Sequence, residues 1–238
     1  MRLLSPAVVL SAIKHGDSNL IVVCYTQNAG IKHFILKGIL KNRRSKLRPA
    51  HFQALSILDL VFTNSSKGSL NYISEVSLRY QYQNVYTDPI KNAIVFFTAE
   101  LLRNTLKQED EDVALFDFVQ YALIWLDIED KVSNYPLFFM LALSKQLGFF
   151  PSSFKPDDTY FDMKAGIFTQ STCHSNAISK ESLKVFKVLL ATDFEEMGDI
   201  SFKATLKRDL LECLLQYYSF HIPAFKRPQS VDILRNLF

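Results

Sequence analysis

The chain lacks most of what sequence-readable chemistry needs. Its 238 residues contain three cysteines, Cys24, Cys173 and Cys213, far apart and with no CxxC pair. An odd, scattered set writes neither a disulfide framework nor a zinc ribbon, and reduced thiols in a cytosolic protein are the simplest reading. No apolar run reaches the length that a bilayer requires, so no membrane span is expected. Arg2 ahead of an apolar stretch has the outline of a secretory leader. Ser5 and Pro6 fall early in that stretch, however, and no small-residue cleavage site follows, so it reads as a first β-strand. Only seven glycines argue against long disordered segments. GxGxxG, GxxxxGKS/T, GxSxG and HExxH are all missing. The sequence therefore predicts no catalytic residues, no metal and no cofactor.

Acidic residues are missing from one long segment. Between Ser18 and Leu58 there is no Asp or Glu, while Lys32, Lys37, Lys41, Arg43, Arg44, Lys46 and Arg48 all fall inside it. Clustered cations without counter-charges repel one another, and a polyanion is their commonest partner. The formal net charge of +3 hides the asymmetry: residues 1–80 carry eleven Lys/Arg against three Asp/Glu, and residues 81–238 carry sixteen against twenty-one. A split of this kind points to nucleic acid. A solvated basic loop accounts for the run equally well on charge alone.

Hydrophobic patterning divides the chain in two. Residues 1–82 read as five short strands: an apolar run at 7–13, a β-branched run at 20–25, a return at 31–37, a long apolar strand at 52–62, and alternation from Leu70 to Tyr80 with one exception at Ser74. That count suits a small barrel, OB-type or SH3-like, with the basic loop between its third and fourth strands. From Asp88-Pro89, an N-cap followed by Pro at the first helical position, the pattern becomes helical through residue 238. Helices are expected over 90–106, 110–127, 134–147, 179–191 and 201–221, with Asn134 as a cap and Gly148 as a stop. Residues 149–178 form an irregular insertion with a short hairpin around Phe161–Phe168. The predicted fold class is α+β, a five-stranded β-barrel (1–82) followed by a helical bundle (83–238).

Other chemistry-bearing residues have blander readings. Glu109 to Asp112 offers paired carboxylates, but four consecutive acids at a polar helix start usually face water. Cys173-His174 lacks the second ligand pair that a metal needs. The constellation that survives is the basic loop with nearby rings, Tyr25 and Phe34. A single-strand binder needs cations for the phosphates and aromatic faces for the bases. Phe34 equally fits the inside of a barrel.

The order of these features resembles the RecO family of recombination mediators. The matching residues are AVVLSAIKHGDSNLIVVCYTQNAG at 7–30, Lys37-Gly38, the basic loop from Lys41 to Arg48, Ala99-Glu100-Leu101, Leu147-Gly148-Phe149 and the C-terminal YYSFHIPAFKRPQSVDIL. The resemblance implies an OB fold, binding of single- and double-stranded DNA, and annealing of complementary strands. It also implies partnership with RecR and the single-strand-binding protein SSB in loading RecA, in the cytoplasm with the nucleoid. Many members carry a four-cysteine zinc module where this chain has residues 149–175 with Cys173 alone. The insertion must then be held by packing, with Phe154, Tyr160, Phe161 and Phe168 as anchors. A competing reading is an interaction scaffold whose basic barrel takes an acidic protein instead of DNA.

Overall fold

The apolar run behind Arg2 becomes the middle strand of a sheet. A computed structural model describes residues 2–41, 47–63, 70–106, 111–171 and 176–236. The fold is α+β, and the chain divides into two compact units, residues 1–128 and 129–238.

In the first unit, β1 (Arg2–His15) pairs antiparallel with β2 (Asn19–Thr26) over Ala7–His15 and with β4 (Ile57–Thr63) over Arg2–Val8. β3 (Gly30–Leu36) adds beyond β2 and β5 (Tyr72–Leu78) beyond β4, giving the order β3-β2-β1-β4-β5. The outer strands meet at one parallel bridge. The Asn71 N–H donates to the His33 carbonyl at 2.8 Å, and the Ile35 N–H donates to the Asn71 carbonyl at 3.1 Å. This is the strand order of a partly open OB-type barrel. The seam is not a ladder, so the sheet is curled rather than closed. The reason is local: β5 pairs with β4 from Tyr72 onward, and Asn71 just ahead of it is what reaches β3.

Phe34, Phe62, Val22, Cys24, Leu58 and Leu60 are fully buried inside the curl, Phe34 and Phe62 packing edge to face at 5.2 Å. Each of these Phe, Val and Leu side chains contributes about 1.5–3 kcal/mol. The long strand expected from residue 52 is shorter in the structure. Pro49–Phe52 form a 3-10 turn that turns Phe52 into the core, and Leu55 takes a left-handed φ of 62° before β4 begins. Leu55 is held there by its N–H on the Val9 carbonyl and by the Tyr82 hydroxyl on its own carbonyl.

Helices α1 (Pro89–Thr105) and α2 (Val113–Ile128) belong to this same unit. Asp88 caps α1 as its sequence predicts, accepting from the N–H groups of Ile90 and Lys91 at 2.7 and 3.0 Å. A buried carboxylate ties the strand-to-helix linker down. Asp127, 1% exposed near the end of α2, accepts from the backbone N–H groups of Gln83, Asn84 and Val85 and from the Tyr80 hydroxyl. Its carbonyl accepts from the buried Lys91 ammonium at 2.8 Å. Burial alone would raise the Asp127 pKa, but those donors hold it below the usual aspartate value. This is why the packing boundary falls after residue 128 while the sequence pattern changes at 82.

The second unit holds α3 (Tyr135–Gln146), α4 (Lys180–Ala191), α5 (Ala204–His221) and α6 (Val231–Arg235). Gly148 ends α3 at φ 82°. Asn134, expected as its cap, makes no capping bond. Its amide donates instead to the carbonyls of Met197 and Ile200, 3.0 and 2.7 Å away. The insertion has more order than its weak periodicity suggests: β6 (Tyr160–Asp162) lies between β7 (Ile167–Thr169) and β8 (Ala177–Ser179), with Phe161 directly opposite Phe168. Phe161 is fully buried against Phe168, Phe186 and Tyr217, and Phe154 packs on Phe168. Tyr160 is half-buried and joins none of these ring contacts. Lys187 clips the segment from outside. Its ammonium donates to the carbonyls of Lys155 and Asp158 at 3.0 and 2.9 Å and lies 5.3 Å from the Phe154 ring centre. Among the described residues no group of three or more His, Cys, Asp or Glu is arranged to hold a metal; Cys173 and His174 lie outside them.

Candidate nucleic-acid interface

The start of the basic loop is fixed by backbone chemistry. Gly38 takes a φ of 70°, open to glycine at no steric cost, and its N–H donates to the Asn19 side chain at 2.9 Å. The Leu40 N–H then donates to the Ser18 carbonyl at 3.0 Å and the Lys41 N–H to Gly38 at 3.1 Å. Lys37 and Lys41 are thereby held beside the β1–β2 turn, both exposed. Pairing also brings exposed Lys14 to this end, since Lys14 faces Leu20 and Leu20 faces Leu36. That lysine carried no signal in the sequence because it stands alone there.

At the other end of the loop, Arg48 is exposed and its backbone N–H contacts His51 Nδ1 at 3.4 Å. Burial, and then the Arg48 charge, lower the His51 pKa from its usual value, so both work against a positive charge on that ring. Among the described residues, no ion pair joins Lys14, Lys32, Lys37, Lys41 or Arg48 to a carboxylate. The ion pairs described in this unit are Arg2 with Glu75 and Arg79 with Asp59. Arg43, Arg44 and Lys46 lie outside the described residues.

Three expected members of the site stand elsewhere. Phe34 is 0% exposed in the core, because its register opposite Val22 aims it inward. Tyr25 is 2% exposed. Its ring packs on Phe116 at 5.6 Å and its hydroxyl donates to the Asp112 carbonyl at 3.1 Å, so α2 covers the face that a base would need. Neither offers a stacking surface. Lys32 faces Cys24, half-buried on the inward side of β3 and at the far end of that strand from Lys37.

An exposed ring stands on β5, at a position that sequence reasoning did not single out. Tyr72 is 50% exposed, and the Lys37 ammonium lies 5.3 Å from its ring centre. Ser74 is the extra residue of a bulge: Val61 faces Glu75, and the next residue, Phe62, faces Ile73. The break in alternation at Ser74 was the signal for this, since a bulge inverts the faces on its two sides.

Known proteins match both units. The family described as Recombination protein O N terminal matches residues 1–82, and Recombination protein O C terminal matches residues 86–230. The chain belongs to the RecO family of DNA repair proteins. It is similar to the DNA repair protein RecO of Christiangramia forsetii, 36% identical over 98% of this chain and 97% of that protein. That of Flavobacterium johnsoniae is 35% identical over the full length of both, and that of Bacteroides fragilis 28% identical over 97% of each. The RecO N-terminal match covers the sheet and stops inside the linker held by Asp127. No helix among the described residues is long and apolar enough to cross a membrane.

Proposed function

We propose that this RecO-family chain is a non-enzymatic recombination mediator of the cytoplasm and nucleoid. It binds single- and double-stranded DNA through the basic end of its sheet and anneals complementary strands. It also helps to load RecA onto SSB-coated DNA, in partnership with RecR and SSB. The observation that carries the DNA reading is the exposure of Lys37, Lys41 and Arg48 in an acid-free segment, with no ion pair to a carboxylate among the described residues. Cations left in this state are offset most cheaply by phosphates, whose condensed counter-ions are released on binding. Arg43, Arg44 and Lys46 extend the same charge run in sequence.

The test is a fluorescence annealing assay on SSB-coated complementary strands, comparing wild type with charge reversal at Arg43, Arg44 and Lys46. Lower annealing and a shallower salt dependence of DNA affinity are expected. Unchanged affinity across a salt series would remove the loop from the DNA surface. The scaffold reading predicts instead that an acidic peptide competes for the same residues, and titrating the full chain with peptide and with oligonucleotide separates the two.

A further inference from the structure

We infer that Tyr72 is a base-stacking platform, and that the seam between β3 and β5 is a single-strand site for one unstacked nucleobase. The inference rests on the DNA reading above and adds to it a ring, a place and a ligand group. The other large aromatic side chains on the described strands of this sheet are covered: Phe34 and Phe62 inside the curl, and Tyr25 on the other face beneath α2. Tyr72 is half exposed because the bulge at Ser74 puts Ile73 into the core and its neighbour outside. The exposure is thus built into the strand, not left over at a frayed end. Asn71, 4% exposed and bonded to β3 through its N–H and its carbonyl, fixes the backbone directly before the ring.

The surroundings suit a nucleotide rather than a protein side chain. Lys37 rests over the ring, so a cation and an aromatic face share one spot, the pairing that a base and its phosphate require. Leu70 and Leu40, each 38% exposed, supply apolar surface on the adjoining segments. The nearest acid along β5, Glu75, is paired with Arg2, so its charge is offset where a phosphate would pass. When a strand binds, Lys37 exchanges the ring for a phosphate oxygen and the freed face takes the base. Duplex DNA, whose bases are already stacked on one another, gains nothing from the ring. Tyr72 therefore separates single strands from duplex, a distinction that a basic loop alone does not make.

The test uses the full chain with Tyr72→Ala, Tyr72→Phe and Lys37→Gln, measuring anisotropy of labelled oligothymidylate, an abasic strand of equal length and a duplex across a salt series. Tyr72→Ala is expected to weaken oligothymidylate binding about five- to a hundredfold, leaving the abasic strand, the duplex and the salt slope unchanged. Tyr72→Phe keeps wild-type affinity, and Lys37→Gln lowers the salt slope by about one on every ligand. The assignment is overturned if Tyr72→Ala leaves oligothymidylate affinity intact, if it weakens the abasic strand equally, or if Tyr72→Phe falls as far as Tyr72→Ala. Matching unfolding midpoints exclude a folding defect. Failure of the basic-loop reading has a different signature: charge reversal at Arg43, Arg44 and Lys46 without effect, while the Tyr72 variants still discriminate.

Discussion

Cations are handled in opposite ways in two parts of this molecule. In the segment from Ser18 to Leu58 no carboxylate is present, and Lys37, Lys41 and Arg48 stand exposed with no ion pair among the described residues. Near the C-terminus, Glu212 gathers its cations: Arg227 grips it with two bonds of 2.6 and 2.8 Å, and Arg235 adds a contact at 3.4 Å. The Arg227 hydrogen bond, opposed by partial burial and aided by the charges of Arg227 and Arg235, holds the Glu212 carboxyl below the usual glutamate range. A count of basic residues treats these regions alike. Their availability to a polyanion differs, because one set already has its anion.

That contrast can be attacked at its carboxylates and at its free cations. The largest effect is expected at Asp127, the buried extreme of the carboxylate-centred arrangement. Asp127→Ala would strand three backbone N–H groups and the Tyr80 hydroxyl, costing about 3–5 kcal/mol in denaturant unfolding. Because the folded pKa of Asp127 is depressed, its contribution is complete above the unfolded value of about 3.9 and fades as pH falls through the native value beneath it. Wild type should lose stability in that acid window faster than Asp127→Asn.

Next comes triple reversal of Lys37, Lys41 and Arg48 to Glu. DNA affinity at low salt should fall about a hundredfold, and the slope against salt should shrink by about three, with little change in the unfolding midpoint. If stability falls instead, those side chains have partners and the contrast collapses. Lys187→Met should cost about 1–3 kcal/mol, since it removes the ammonium from the insertion's carbonyls. Limited proteolysis should then cut between residues 150 and 160 first. The smallest effect is expected from Glu212→Gln, under about 1 kcal/mol because the group is partly solvated. That change frees Arg227 and Arg235, and a gain in non-specific DNA binding would show that pairing had been masking them.

Much of this was legible in the chain. The breaks between the strand runs at 7–13, 20–25 and 31–37, the Asp88-Pro89 helix start and the stop at Gly148 are chemistry that acts within a few residues, so local sequence suffices to place them. Cation clustering was legible for the same reason. What escaped depends on partners distant in sequence. Asn134 reads as a cap until Met197 and Ile200 compete for its amide. Tyr25 reads as a candidate ring until α2 covers it, some ninety residues on. Tyr72 escaped through a bulge, where a single extra residue reverses which side of a strand is wet. Lys14 reaches the basic end through two successive strand pairings, a relation that no window of sequence contains.

The latch at Asp127 has a practical outcome for dissecting this protein. Family similarity breaks between residues 82 and 86, which invites cutting a fragment there. Such a fragment would discard Phe116, the lid on Tyr25, and the carboxylate on which residues 83–85 hang. Ending it after Ile128 retains both, so the smallest piece expected to stand alone carries the sheet together with its first two helices. The border that homology respects and the border that mechanics respects lie more than forty residues apart.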